Sequence, residues 1–475
     1  MRRGVLLPFA FAVACTGCAV GPNFHSPESP KASGFVRGND AQTLQVDAGL
    51  MPDSQWWHAF HNPEIDLAIA MAFRNSPTLA AAQANLEQAQ ALTRAQRRSL
   101  LPSASVGYNA SRQRNSNTIS PPLSDNSSLY TLHTAQLTIG YVPDVFGGNR
   151  RQVESLAAQE QVQHYQLEAA RQMLAANVAS NLIQLSSLDA QVDAAQDIVS
   201  ANEKSLDLTR RQEALGALGK LDISTQETAL QQARGALDAL VKQRETTRDA
   251  LAVLLGQTPS ELKAPKIALE TLAVSDRIPV SVPTDLTRRR PDIAAAEAQV
   301  HAATAQVGVA VASRFPQFSI NATYGGSASK FGEMFATGNV FWSLVGGVTQ
   351  SVFDFGVLKA KQKAAEAGMR AAMEQYRQTV LVAFQNVADA MYALKADGDA
   401  VQAADRAEMA TRQTLQFTQR GRELGSSSAL NVLSAQQTWQ QARLSALQLH
   451  GQRLQDAVAL MVAVAGPVGS DDAKH

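Results

Sequence analysis

Cysteine is nearly absent from this 475-residue sequence: its two copies, Cys15 and Cys18, both fall within the first eighteen positions. The rest of the chain therefore carries no structural disulfide, thiolate zinc site or cysteine nucleophile. A dominant charge is also missing, since 42 Lys and Arg balance 42 Asp and Glu, which leaves no electrostatic case for nucleic acid as a partner. Long apolar runs are lacking as well. Beyond the N-terminus the best are Val307 to Ala312 and Leu460 to Val468, far short of the roughly 20 residues a bilayer-spanning helix needs. If the chain crosses a membrane, it does so with strands.

Catalytic constellations are missing too. The eight histidines are scattered, and His58 and His61 lie three apart without an H-E-x-x-H pattern or a carboxylate to join them, so neither a metal nor a cofactor is expected. The run Gly216-Ala217-Leu218-Gly219-Lys220 lacks the first glycine of a phosphate loop and its following Ser or Thr, and it joins two helices where a strand should lead in. The expectation is a protein that is not an enzyme.

What is present begins with a leader. Arg2 and Arg3, an apolar stretch from Val5 to Ala14, and small residues before a cysteine read as a signal peptide over 1–17. The run Cys15-Thr16-Gly17-Cys18 resembles a bacterial lipoprotein cleavage box, which implies acylation at Cys18. Its first position departs from the box, where Leu is usual. Ala19, where an Asp would retain the protein at the inner membrane, implies outer-membrane sorting.

Self-similarity organises the remainder. Pro77 to Ala84 matches Pro291 to Ala298, and Pro102 matches Pro316, at an offset of 214. Leu215-Gly216 matches Leu424-Gly425, Leu221-Asp222-Ile223 matches Leu430-Asn431-Val432, and Gln231 to Arg234 matches Gln440 to Arg443, at an offset of 209. One five-residue insertion in the first hairpin accounts for the difference. The chain is thus a duplication, with repeat 1 over 64–256, a connector over 257–288, repeat 2 over 289–466 and a tail over 467–475. An N-terminal segment, 18–63, precedes the repeats; it and the connector are expected to pack around the helices' waist.

Each repeat contains a helix too long for an ordinary globular domain. Residues 149–215 hold neither Gly nor Pro, and apolar positions step by three and four through Leu174, Val178, Leu182, Leu185, Leu188, Val192, Ala195 and Val199. At 1.5 Å per residue this predicts a rod of roughly 100 Å. Its counterpart is 357–424. Shorter helices are expected from Pro77 to Leu100 and over 221–255, 291–315 and 430–465. A stacked short pair beside each rod would make an elongated coiled-coil sheath.

Between the second proline and the rod of each repeat, the period changes to two. Over 102–147, Ala104, Val106, Tyr108 and Ala110 alternate with Ser103, Ser105, Gly107 and Asn109; after a polar loop, Ala135, Leu137, Ile139 and Tyr141 alternate with Gln136, Thr138 and Gly140. Over 316–356, Phe318, Ile320, Ala322 and Tyr324 do the same, followed by Trp342, Leu344 and Val348. Such hairpins suit a lipid-facing barrel around a wet lumen, and equally a half-buried soluble hairpin. If they lie in lipid, four strands neither close a barrel nor survive with open edges, so an oligomer is required.

These residues resemble the TolC-like superfamily of outer-membrane factors, in its NodT-type lipoprotein branch. The match rests on Cys18-Ala19-Val20-Gly21-Pro22-Asn23-Phe24, on Trp56-Trp57 with Phe60, Asn62 and Pro63, and on Asn75. It also rests on Asp144-Val145-Phe146-Gly147 and on Val352-Phe353-Asp354-Phe355-Gly356. The resemblance implies a mainly α fold with a β-barrel portion: four transmembrane strands per chain in a trimeric twelve-stranded barrel, plus a long periplasmic α-helical tunnel. It implies a passive exit duct for small molecules in a tripartite efflux system, lipid-anchored in the outer membrane. Its partners would be a periplasmic adaptor and an inner-membrane pump of the resistance-nodulation-division class. Gly216 and Gly219, and Gly425 with Ser426 to Ser428, would supply left-handed turns at the periplasmic tip. Leu221 and Leu430 fall where the family places apolar constriction residues, while Ser434 replaces the family's usual acidic residue. Asp222 would add charge there or cap the return helix. The competing reading is a periplasmic coiled-coil structural or adaptor lipoprotein.

Overall fold

A computed structural model describes residues 19–28, 34–36, 47–48, 54–114, 116, 129–272, 279–280 and 289–466. The signal peptide, Cys18, most of the polar loop of the first hairpin, much of the connector and the tail lie outside the described residues. In chain order the elements are β1 (Asp47–Ala48), α1 (Pro63–Asn75), α2 (Pro77–Arg98), β2 (Ser103–Arg114), β3 (Leu129–Tyr141), α3 (Gly148–Ala214), α4 (Lys220–Leu254), β4 (Pro279–Val280), α5 (Pro291–Ala312), β5 (Gln317–Ala328), β6 (Val340–Thr349), α6 (Val357–Glu423) and α7 (Ala429–Val464).

Local chemistry sets the helix ends. Asn62 caps α1 by accepting the Glu64 amide at 3.0 Å, and Pro63 takes the first helical position, where its missing N–H costs nothing. The helix stops at Ser76, because the ring of Pro77 excludes its predecessor from helical geometry. The helix expected over 291–315 ends at Ala312 instead, and the one expected to reach Leu100 ends at Arg98. In both cases the chain must turn before a proline that opens a strand. The long helices run Gly148–Ala214 and Val357–Glu423, and the return helices Lys220–Leu254 and Ala429–Val464, one residue earlier at one or both ends than the period indicates.

The chain divides into two compact units, with boundaries inside α2, α3, α5 and α6. The first unit comprises the chain through Pro27, Asn85–His164 and Ala295–Tyr376. It contains β2, β3, β5 and β6 as one sheet in that order, with the helix segments that feed it. Thr93 on α2 donates to the Leu156 carbonyl at 3.2 Å, and Ser155 on α3 to the Ala302 carbonyl at 3.1 Å.

The second unit comprises Glu28–Ala84, Tyr165–Ala294 and Arg377–His475. On α3 its buried stripe includes Val178, Leu182, Leu188 and Val192, with Val387 on α6 and Val458 on α7. Helices α3 and α7 approach so closely that a Cβ on Gly451 would meet the Ser187 hydroxyl at 2.5 Å. Trp56, Trp57 and Phe60 are buried with Ile65 and Ile69 of α1. The N-terminal segment and the connector meet in a parallel ladder, Asp47 opposite Pro279 and Ala48 opposite Val280.

Candidate functional site

The four-stranded sheet carries two unlike faces. Val106 opposes Leu137, Leu137 opposes Tyr324 and Tyr324 opposes Trp342; the next row joins Ala104, Ile139, Ala322 and Leu344. Successive side chains on a strand point to opposite faces, so these rows share one. The other face carries Ser105, Thr138, Thr323 and Ser343 in one row, with glycine or a short polar side chain at most neighbouring positions. Strand β6 departs from this pattern at Phe341 and Val345, which also fall on the polar side.

The apolar face is uncovered over most of its area: Val106 is 83% exposed, Trp342 76% and Leu344 67%. A soluble hairpin packed on a core would bury these side chains, so their exposure marks an interaction surface. At one end a short loop folds back. Phe331 meets the rings of Tyr108 and His133 edge-on, and the Met334 carbonyl comes so near Gly326 that a Cβ there would lie 2.1 Å from it. All strand pairs of this sheet are antiparallel, and β2 and β6 each have one neighbour within it. Their outer edges present rows of backbone N–H and C=O groups, each costing several kcal/mol if left unpaired in hydrocarbon.

Where the sheet meets the long helices, two aspartates do matching work. Asp144 accepts the backbone amides of Asn149 and Arg150 at 3.0 and 2.8 Å, and Asp354 those of Gly356 and Leu358 at 2.9 and 2.8 Å. The amides of Leu358 and Gly356 hold the Asp354 carboxyl below the usual aspartate range.

A strap from the N-terminus is tied beside the first of these junctions. Arg151, buried at the start of α3, donates to the Val20 carbonyl at 3.2 Å, to the carbonyls of Ala19 and Gly21 at 3.5 Å and to Asn23 Oδ1 at 2.7 Å. Its remaining donor meets Glu154 at 2.7 Å. Glu154 also pairs with His301 at 3.0 Å, and His301 stacks on Phe24 with ring centroids 4.4 Å apart. Burial works to raise the Glu154 pKa, but the hydrogen bonds from Arg151 and His301 and their charges outweigh it and hold the carboxyl below its ordinary range. Gly21 has φ +95°, and a Cβ on it would lie 2.5 Å from the Gly308 Cα. None of Arg151, Glu154 and His301 stands out in the sequence, because they are joined only by packing.

The turns between long and return helices are also alike in both repeats. After α3, Gly216 has φ 76°, and the Ala217 amide reaches back to the Gln212 carbonyl at 2.9 Å; after α6, Gly425 has φ 78°, and the Ser426 amide reaches the Gly421 carbonyl at 2.8 Å. Both are glycine-terminated helix ends that satisfy late carbonyls. Gly219 differs from the expectation of a left-handed turn. Its φ is −100°, and it is the N-cap of α4, where its amide donates to the Asp222 carboxylate at 2.9 Å. Asp222 therefore has a capping partner. Ser428 caps α7 by accepting the Asn431 amide at 3.1 Å. Leu221 and Leu430 are exposed at 80% and 63%, and Ser434 lies in the first turns of α7, its carbonyl accepting from the Thr438 hydroxyl at 2.9 Å.

One carboxyl outside these motifs is strongly perturbed. Burial and the neighbouring Asp397 on α6 push Asp456 on α7 up to about 6. His58, expected to lack a carboxylate partner, has one, Asp66 at 3.6 Å. Among the described residues no group of three or more His, Cys, Asp or Glu is placed to hold an ion. No described helix is long and apolar enough to cross a membrane.

Comparison with known proteins places this arrangement. The model for the outer membrane efflux protein family matches residues 68–257 and 282–466. The chain is 32% identical over 424 residues to the pyoverdine export outer membrane protein OpmQ of Pseudomonas putida, covering 88% of this chain and 89% of that protein. It is 29% identical to the toluene efflux pump outer membrane protein TtgC of Pseudomonas putida, covering 92% and 90%. Among solved structures, the outer-membrane channel OprN aligns with a TM-score of 0.86 at 25% identity, over 95% of this chain and all of that one. The CmeC outer-membrane channel of Campylobacter jejuni aligns with a TM-score of 0.89 at 18% identity, over 96% and 97%.

Proposed function

The chain belongs to the outer membrane efflux protein family, and on that premise we propose how it assembles, opens and finds its partners. It is an outer-membrane efflux channel component with a two-repeat helix-and-hairpin fold, and it extends into the periplasm. The observation that carries the proposal is the sheet with one lipid-grade face, one small polar face and two open edges. Three copies close twelve antiparallel strands into a barrel. That arrangement satisfies both edges and leaves a lumen, which an eight-stranded barrel would fill with side chains.

The duct is passive and performs no chemistry of its own. An inner-membrane pump of the resistance-nodulation-division class supplies the energy, and a periplasmic adaptor docks at the turns around Gly216 and Gly425. Leu221 and Leu430, exposed at the starts of the return helices, narrow the tunnel there. Ser434, in place of an acidic side chain, leaves that level without a ring of charge. Asp222, engaged with the Gly219 amide, serves the helix end first. Acylated Cys18 anchors the chain in lipid, and the Arg151 strap holds the adjoining Ala19 beside the sheet.

OpmQ is named for pyoverdine and TtgC for toluene, two chemically unlike cargoes. A lumen of Ser and Thr hydroxyls and glycine backbone suits cargo chosen by the pump. The test is conductance of the purified protein in planar lipid bilayers, together with its mass in detergent. Trimers that conduct ions support the reading; monomers that stay in the soluble fraction and conduct nothing refute it.

A further inference from the structure

Charge is confined to one end of the sheet. Across β2, β3, β5, β6 and the loop over 329–339, the Lys, Arg, Asp and Glu side chains of the described residues are Arg112, Arg114, Lys330 and Glu333. All lie at the hairpin tips, the end away from the helices. Lys330 and Glu333 hold each other at 3.1 Å. Arg112 and Arg114 are exposed, and neither has an ion-pair partner among the described residues.

The duplicated hairpins diverge at these positions. The offset of 214 carries Arg112 to Gly326 and Arg114 to Ala328. Past the last β3–β5 pair, His133 with Ala328, β2 and β3 continue as a two-stranded ribbon in which Arg112 opposes Thr131 and Arg114 opposes Leu129. In the second hairpin, the bare Gly326 lets the loop fold onto the sheet, where a Cβ would collide with the Met334 carbonyl. Met334 is buried there, while Phe331 and Phe335 stand out at 64% and 60% exposure.

By the strand pleat, Arg112 and Arg114 share a face with Ala104, Val106 and Tyr108. That is the apolar face, so the arginines continue it and point away from the lumen. At about 3.4 Å per residue and a tilt of about 40°, they stand roughly 21 and 26 Å beyond Ala104. An outward apolar band is about 25 Å tall, which puts them at its outer edge, where headgroups begin. Tyr108, whose hydroxyl bonds His133 Nδ1 at 2.8 Å, lies just below them, as amphipathic rings do at such a boundary.

We propose that Arg112 and Arg114, with Phe331 and Phe335 at the level beneath, hold the phosphorylated headgroup of an outer-leaflet lipid against the barrel wall. This rests on the channel reading above, in which the helices lie in the periplasm and the hairpin tips face outward, and it adds a lipid site. A guanidinium stays charged and matches phosphate oxygens bidentately. The two phenyl rings lie among the acyl chains of the same lipid. Two outward cations without a carboxylate beside them are complemented by an anionic headgroup, which a membrane surface supplies at that height.

The probe is diphosphoryl lipid A, matched by its fully dephosphorylated form, offered to the purified assembly in neutral nanodiscs and counted by native mass spectrometry. The unaltered protein should retain the diphosphoryl form about tenfold more tightly, the scale of a charge-assisted hydrogen bond. Arg112→Gln with Arg114→Gln should abolish that preference, and Arg112→Lys with Arg114→Lys should keep most of it. Ser111→Ala, on the other face of the ribbon, should leave it unchanged. Phe331→Ser with Phe335→Ser should weaken retention of both forms alike. Conductance of each variant shows that its barrel has formed. Equal retention of the two forms, a preference that survives loss of both arginines, full retention without the two phenylalanines, or ready displacement by inorganic phosphate would overturn the inference alone. Failure of the unaltered protein to enter a bilayer would overturn the channel reading and the inference with it.

Discussion

The Arg151 guanidinium donates to the Asn23 carboxamide oxygen at 2.7 Å, across 128 positions of sequence. Through that bond and the three carbonyls beside it, a buried cation holds an irregular segment against α3. Arg151→Ala should cost roughly 2–3 kcal/mol, since it strands Glu154 and several carbonyls together. Limited proteolysis should cut first near Phe24 in the variant and not in the parent. Equal protease resistance would show that the strap is held by other contacts.

Acid should loosen the same strap. Glu154 is held below its ordinary range by Arg151 and His301 against the opposing effect of burial. Its contribution is complete above the ordinary glutamate range and fades as pH falls through that range and below. The expected result is a melting temperature that drops with acidification in the parent and less steeply in Glu154→Gln.

Asp456 should behave in the opposite sense. Its folded value, about 6, lies above the ordinary aspartate value of 3.8 because of burial and the nearby Asp397. Ionisation in the folded state therefore destabilises as pH rises from about 4 through about 6. Asp456→Asn should raise stability by about 1 kcal/mol at pH 7.5, after allowing for solvent screening, and by almost nothing at pH 4. Thermal melts at the two pH values check the sign, and a gain at pH 4 would count against the coupling.

Glycines at two helix ends should differ in cost. Both Gly216 and Gly256 have positive φ, 76° and 69°, but only at Gly256 would a Cβ collide, at 2.4 Å from the Asn75 carbonyl. Gly216→Ala should cost about 1 kcal/mol, the left-handed conformation alone. Gly256→Ala should cost at least about 3 kcal/mol, because the obstacle is backbone that must shift. Chemical denaturation measures both.

Adjacent residues on β6 should respond oppositely to charge. Leu344→Arg places a cation on the apolar face and should cost roughly 2–4 kcal/mol if that face meets the bilayer midplane. Ser343→Arg, on the other face, should fold normally and shift conductance toward anions. Vesicle insertion and reversal potentials separate the two, and equal tolerance would remove the lipid assignment.

A constriction at the helix turns has its own test. Leu221→Ser together with Leu430→Ser should raise single-channel conductance severalfold if these exposed side chains narrow the tunnel. An unchanged conductance places the constriction elsewhere.

The strands of this fold were legible because alternation is a local property: Val106, Tyr108, Leu137 and Tyr324 could each be assigned a face from their immediate neighbours. Helix ends were legible to within a few residues, since Pro102 and Pro316 mark where a strand begins but not how many residues turn before it. Gly219 was misread as a left-handed turn. Glycine suits both a left-handed turn and an extended N-cap, and only the bond to Asp222 distinguishes them. The Asp66 partner of His58 was invisible for a related reason, because their pairing depends on how a short turn packs against α1.

By itself, the sequence determined the duplication, the two long helices and the two-faced hairpins, since these follow from periodicity, proline placement and composition. It also excluded disulfides beyond Cys18. Only the tertiary structure decided that the hairpins meet through β3 and β5, that Arg151 gathers the N-terminal strap and that Asp456 faces Asp397. Those relations join residues far apart in sequence, and no local pattern carries them. They emerge when burial brings particular side chains together and each polar group must find a partner.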